Sequence, residues 1–413
     1  MTMIGKAGTA SSTPFLLFLG SRSFFTLGVN MQGTLVAWFV YQITHNALDL
    51  GFTGLAEVIP YVGLLLFGGA WADRFNRRNL MLFSQVGYLF ISVGLWFLAS
   101  ESESGTTVSP LLIYALIFMT GLFRGILSPS QNALLGQLVS KEEVSKASVW
   151  NSAVFHIGAV GGPAAGGLLY AYLGGAFSFG VVCCLQLLAV LTLLQLRGIK
   201  KPEYRNTGES IFNRIGVGLR FVWSHKILFP GMMMDMVAVL FGGAVAVLPL
   251  FADQILHTGA EGLGWLRAAP ALGSLVMAGI LIRFPLGQGA GKLLLICVFL
   301  FGLTNLIFAL STSFLLSFAM LFLGGLFDNV SAIIRMTIVQ IFTPDEMKGR
   351  VSAVNSIFIG SSNELGAFES GVAARFLGLV SSVTYGAYVT FATVGFTAWK
   401  AKELRQLTME NKS

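Results

Sequence analysis

Apolar runs of roughly 20 residues, the length an α-helix needs to cross a bilayer, follow one another along nearly the whole of this chain. Only 11% of its 413 residues are charged and 55% are hydrophobic, whereas an ordinary soluble domain carries about 25% charged residues. The 49 glycines point the same way, because Gly is more frequent in transmembrane helices than in soluble ones. Read with turn signals, the runs predict helices at about 14–42, 49–71, 79–99, 110–137, 147–172 and 175–196. A second set follows at about 227–256, 262–283, 291–310, 313–341, 349–375 and 377–399. The expectation is an all-α integral membrane protein of twelve helices. It divides into an N-terminal bundle (1–196), a polar cytoplasmic linker (197–226) and a C-terminal bundle with a short tail (227–413).

Basic residues set the orientation, since Lys and Arg accumulate on the cytoplasmic side. Twenty-one of the 26 lie at the termini, in the linker, or in the loops after expected helices 2, 4, 8 and 10. The loops 43–48, 100–109 and 311–312 hold none. Both termini are therefore expected in the cytoplasm, in a cell membrane of inner or plasma type. The net charge of +7 does not imply nucleic acid, because the basic residues form no single surface. Cys183, Cys184 and Cys297 lie inside apolar runs, with neither metal-ligand nor disulfide spacing. No cleavable signal is expected: the first apolar run carries Arg22 and lacks a small-residue cleavage site.

The halves repeat. GLFR at 121–124 matches GLFD at 325–328, and 137–155 matches 340–358. Pro60 and Gly69 match Pro270 and Gly279. A repeat running in the same direction requires an even number of helices per half, which six plus six satisfies.

At this point the motifs resemble a family. GGAWADRFNRRNL (68–80) resembles the loop between helices 2 and 3 of the major facilitator superfamily, with Asn76 where that pattern has Gly. GAVGGPAAGG (158–167) resembles the helix 5 motif of exporting antiporters, with Val149 where that motif begins with Gly. LAEVIP (55–60) and TPDEMKGRVSAVNSIFIGSSNELGAFESG (343–371) are similar to the branch of enterobactin-type siderophore exporters and macrolide efflux proteins. The resemblance implies two pseudo-symmetric six-helix bundles with helices 1, 4, 7 and 10 lining a central cavity.

It also assigns roles. Asp73 with Arg74, Arg77 and Arg78, and Asp345 with Arg350 in the second half, are expected to form a cytoplasmic gate. The arginines serve equally as anchors to anionic lipid. Gly158, Gly162, Pro163, Gly166 and Gly167 make a small helical face that permits close approach. It serves as a pivot between helices 5 and 8, as plain close packing, or as both.

A charge in lipid costs a few kcal/mol, so each one needs a reason. Expected helices 1, 4, 7 and 10 each carry one: Arg22, Arg124, Asp235 and Asp328. Counting about 1.5 Å per residue places all four at similar depth in the inner half of the membrane. The N-half supplies two cations and the C-half two anions, so pairing across the cavity is the expectation, with a permanent salt-bridge cluster as the alternative. Glu57, Glu364 and Glu369 are further candidates for substrate or proton coupling. Arg335, near an inner helix end, is expected to snorkel, and His156 to be structural.

The expected function is secondary active transport by alternating access. A proton-coupled exporter of an amphipathic drug, macrolide or siderophore fits best. An uptake carrier or a lipid or anion transporter of the same fold is the alternative, and a non-transporting sensor or scaffold a remote one. The partners are then a small-molecule substrate, protons and the lipid bilayer, and one chain suffices. The absence of GxxxxGKS argues against ATP drive within the chain. His45, His156, His225 and His257 lie on different elements, so no catalytic or metal constellation and no cofactor are expected.

Overall fold

The computed structural model describes residues 12–140, 142–199, 201, 211–283 and 289–407. The helices are α1 (Thr13–Thr44), α2 (Ala47–Arg74), α3 (Arg77–Glu103), α4 (Pro110–Leu138), α5 (Val144–Gln195) and α6 (Ile211–Ser224). They continue as α7 (Leu228–Gly242), α8 (Gly259–Arg283), α9 (Ala290–Leu310), α10 (Phe314–Phe342), α11 (Lys348–Leu377), α12 (Leu379–Lys400) and the short α13 (Lys402–Arg405). No strand occurs among the described residues. Nine helical segments among them are long and apolar enough to cross a membrane. One is α5, whose 52 residues break at Gly174 (φ 82°, ψ 174°), so it is two helices joined end to end. Helices α1 and α11 fall outside the nine because polar residues run along them. Ser21, Gln32, Thr34, Asn355, Ser362 and Ser370 are all buried in protein. Outward-facing side chains are greasy instead: Phe90 and Leu111 are both 72% exposed, a surface suited to hydrocarbon rather than water.

The chain forms two compact units. One contains Met1–His45 and Ala56–Gly208, the other Asn46–Leu55 and Glu209–Ser413. In the first, α1 lies along α5, and α3 packs on α4 and α5. Phe15, Phe18, Met81, Tyr88, Leu134 and Leu193 make the core. Polar bonds stitch it: Ser21 Oγ donates to the Ala189 carbonyl (2.9 Å), and Ser92 Oγ to Gln32 Oε1 (2.7 Å). Where lipid is as apolar as leucine, such bonds and close packing replace the hydrophobic effect as the glue. In the second unit α10 packs on α8 and α9, and α12 on α7 and α9, around Leu228, Met234, Leu294, Ile334, Ile338 and Val394.

The sequence repeat is one contact used twice. A methyl group on Gly121 of α4 would strike the Glu57 carbonyl and the Pro60 ring of α2. A methyl group on Gly325 of α10 would strike the Pro270 backbone of α8. The matched glycines and prolines are therefore each other's partners within a half. Because the obstruction at Gly325 is backbone, Gly325→Ala is expected to destabilise the protein by about 1–3 kcal/mol. Gly279→Ala, with nothing within 4 Å of the added carbon, is the control. Thermal unfolding in detergent reads the difference.

The segment read as a linker holds a helix. Gly218 of α6 sits on the backbone of Arg350 at the start of α11, and Val222 packs with Met232, Val351 and Val354. After it, the His225 ring starts α7: Nδ1 accepts from the Ile227 and Leu228 amides, both at 3.2 Å. Desolvation lowers the His225 pKa below 6.5, opposed by Glu403. Only the unprotonated nitrogen can accept, which favours the same form. The cap is thus intact above pH 6.5 and lost as the pH falls through the lowered value. Wild-type stability is expected to fall more on acidification than that of His225→Asn, which keeps an acceptor but does not titrate. Parallel pH curves for the two proteins would remove this role.

Helix α7 ends in irregular backbone: Gly243 at ψ 96°, a 3-10 turn (Ala244–Val247) and a π turn (Phe251–Ile255). Backbone freed at membrane depth must find partners inside the protein. Ser370 Oγ of α11 donates to the Gly243 carbonyl at 3.0 Å.

Candidate functional site

Each unit holds an ion pair of its own, half-buried in the first and buried in the second. In the first, Arg124 Nη1 of α4 meets Glu57 Oε1 of α2 at 2.5 Å. Tyr61, one turn beyond Glu57 and on the same helical face, lies under the guanidinium at 4.7 Å. In the second, Arg335 Nη1 of α10 meets Asp235 Oδ2 of α7 at 2.6 Å, with side chains only 10% and 7% exposed. The sequence led to pairing of Arg22 and Arg124 with Asp235 and Asp328. Among the described residues Arg124 takes Glu57 within the first unit, and Asp235 takes Arg335 within the second. Arg335, read from sequence as a snorkelling residue, is a buried partner whose Nε has no hydrogen bond.

Arg22 differs from both. Its Nη1 donates to the neutral Gln131 Oε1 at 3.3 Å, and its buried Nε has no hydrogen bond. Among the described residues of its unit no carboxylate lies within ion-pair distance. Asp328, the repeat counterpart of Arg124, lines a small cavity with Asp235, Cys297 and Ser331. Glu364 of α11 acts electrostatically on Arg267 of α8. Arg267 escaped the sequence reading, although a lone arginine eight residues into a hydrophobic helix was a signal for it. The described helices thus carry more charged residues than the four singled out from the sequence.

The motif between α2 and α3 is a clamp on helix ends. Asn76 stands where the family pattern has Gly and caps α3, its Oδ1 accepting from the Arg78 and Asn79 amides, a favoured capping arrangement. Arg77 donates to the carbonyls of Ala72 and Ala133, and Arg78 to those of Leu193 and Leu194. Cations are stabilised at such C-terminal carbonyls. Arg74 is exposed beside Phe75. Arg350 Nη1 contacts Met347 Sδ at 3.7 Å. The side chains of Asp73 and Asp345 lie outside the described residues.

The glycine motif of α5 faces α1. Methyl groups on Gly158 and Gly162 would strike Thr26, Leu27, Asn30 and Met31, and Gly166 abuts Met31. Pro163 and Gly167 are buried beside them. The atoms nearest these three glycines all belong to α1, which is the close packing expected of such a face. No group of three His, Cys, Asp or Glu side chains placed to hold a metal occurs among the described residues.

Residues 15–412 match the family model for transmembrane secretion effectors. The chain belongs to that family. It is a multi-pass membrane transporter of the major facilitator superfamily, acting on small molecules. Similar curated proteins include the enterobactin exporter of Shigella boydii, 26% identical over 333 residues, which are 79% of this chain and 77% of that one. The enterobactin exporter of Shigella flexneri is 28% identical with the same coverage. Among solved structures, a POT family transporter in complex with 5-aminolevulinic acid superposes with a TM-score of 0.77 at 11% identity, covering 94% of this chain and 96% of that one. A bacterial homologue of the iron transporter ferroportin, in its inward-facing state, gives 0.69 at 16% identity, covering 95% and 98%. These establish the fold.

Proposed function

We propose that this transporter exports an amphipathic, anionic, siderophore-like molecule across the cell membrane in exchange for protons, by alternating access. The observation that carries the reading is Arg22: a half-buried guanidinium on a helix with buried polar residues, held by a neutral amide, with a buried Nε that has no partner. A guanidinium is always charged and matches planar carboxylate or catecholate oxygens. A substrate anion supplies what Gln131 does not. The relatives named as enterobactin exporters support the same chemistry and the outward direction. Twelve crossings with both termini in the cytoplasm follow from the distribution of Lys and Arg, and a single chain is the working unit.

Inside-out vesicles test the reading. A catecholate siderophore is expected to accumulate in them when the lumen is acidic, and to leak out when the gradient is collapsed. Accumulation indifferent to the gradient removes proton exchange, and accumulation in right-side-out vesicles but not in inside-out ones indicates uptake.

A further inference from the structure

Asp328, Ser331 and Arg335 fall at i, i+3 and i+7 on α10, which places them on one face of the helix. Asp235 of α7 comes against this face and takes Arg335 at 2.6 Å. Asp328 forms no ion pair among the described residues of its unit, though Arg335 acts on it electrostatically. The three ionisable groups therefore comprise two carboxyls and one guanidinium. Since the guanidinium does not deprotonate, full ionisation leaves one uncompensated negative charge at membrane depth, which is costly. A cavity of about 10 Å³ lies between Asp235, Asp328 and Ser331, room for about one water molecule. Ser331 is 1% exposed and its Oγ has no hydrogen-bond partner. A hydroxyl and two carboxyls are the two to four polar partners that a buried water requires.

We propose that Asp235, Asp328 and Arg335 form the proton-carrying site of the transporter, with one proton held on Asp328 and passed through a water beside Ser331. This rests on the exchange with protons argued above and names the groups that perform it. The step is a protonation: an O–H bond forms on an Asp328 carboxylate oxygen, and the same proton leaves on the opposite side of the membrane. No electrons move. Facing Asp328 are Asp235 from α7, Arg335 along α10 and Cys297 from α9. Arg267 of α8 and Glu364 of α11 act on one another electrostatically. Carrying the proton makes the triad neutral, so helices α7 and α10 can rearrange without moving a net charge through lipid.

Infrared difference spectra of the purified protein, titrated from acid to alkaline pH without substrate, test the site directly. A protonated-carboxyl band that disappears in Asp328→Asn and shifts in Asp235→Asn is expected. Bands identical to wild type in both variants overturn the assignment. So does a band displaced by sodium at constant pH, which would make the cavity a sodium site. Because no substrate is present, this result stands apart from the identity of the cargo. In vesicles, Asp328→Asn is expected to keep substrate–substrate exchange while the pH-driven gradient collapses. One proton moving through 100 mV sustains roughly fiftyfold, and the variant none. A gradient of wild-type size in Asp328→Asn rules the proposal out.

Discussion

Arg335→Met is expected to lower the stability of the folded protein by about 3–5 kcal/mol, the range for removing one partner of a buried ion pair. Asp235 and Arg335 are both under one-tenth exposed, so neither has water to fall back on. Their 2.6 Å contact joins α7 to α10. Truncating the arginine strands Asp235 beside Asp328 with no cation. The second substitution makes the test specific. Asp235→Asn in the same chain removes the stranded charge and is expected to recover most of the loss, since replacing both members of a buried pair is often close to neutral. Arg335→Lys should fall between, keeping the charge without the fork. Thermal unfolding in one detergent reads all three. If the double variant is no more stable than Arg335→Met, the contact is incidental. Asp328→Asn breaks no ion pair, so the same scan should leave it near wild type.

Much of this was legible in the chain because bilayer physics is written in run length and charge placement. Most helix ends fell within a few residues of expectation, the exception being α7, which ends at Gly242 rather than near 256, and even the pause between 172 and 175 located the break at Gly174. The repeat was legible too, and its matched residues, Gly121 with Pro60 and Gly325 with Pro270, proved to be touching pairs. Partner choice was not legible. Which side chain meets Arg124 depends on the rotation of α2 about its own axis, and a shift of one residue turns a helix by about 100°. Depth and charge pointed to the aspartates of the other half, and the contact with Glu57 emerges only from the packed helices. Arg335 was misread for a related reason. Seven residues from the end of α10, it is within reach of the interface, so sequence position suggested snorkelling where the fold supplies Asp235. Helix α6 was hidden because a short helix beside basic residues reads as a linker until Val222 is seen in a core.

Arg22→Gln is expected to weaken transport of an anionic substrate by roughly ten- to a hundredfold. A hydrogen bond to a charged group contributes about 1.5–3 kcal/mol, and each 1.4 kcal/mol is tenfold. Unlike Arg335, this arginine should be removable without harm to the fold. Its present bond is a 3.3 Å contact to Gln131, and its Nε is buried without a partner. A neutral amide in its place still bonds Gln131 and no longer buries a charge, so the melting temperature should hold or rise. Stability held against function is what a binding residue shows and a packing residue does not. Arg22→Lys separates charge from shape: if the substrate is gripped through two oxygens at once, lysine restores only part of the affinity. A neutral analogue supplies the remaining contrast. Its transport should be indifferent to all three residues at position 22, and an equal loss for the neutral and the anionic compound would mean that Arg22 holds the helices rather than the cargo.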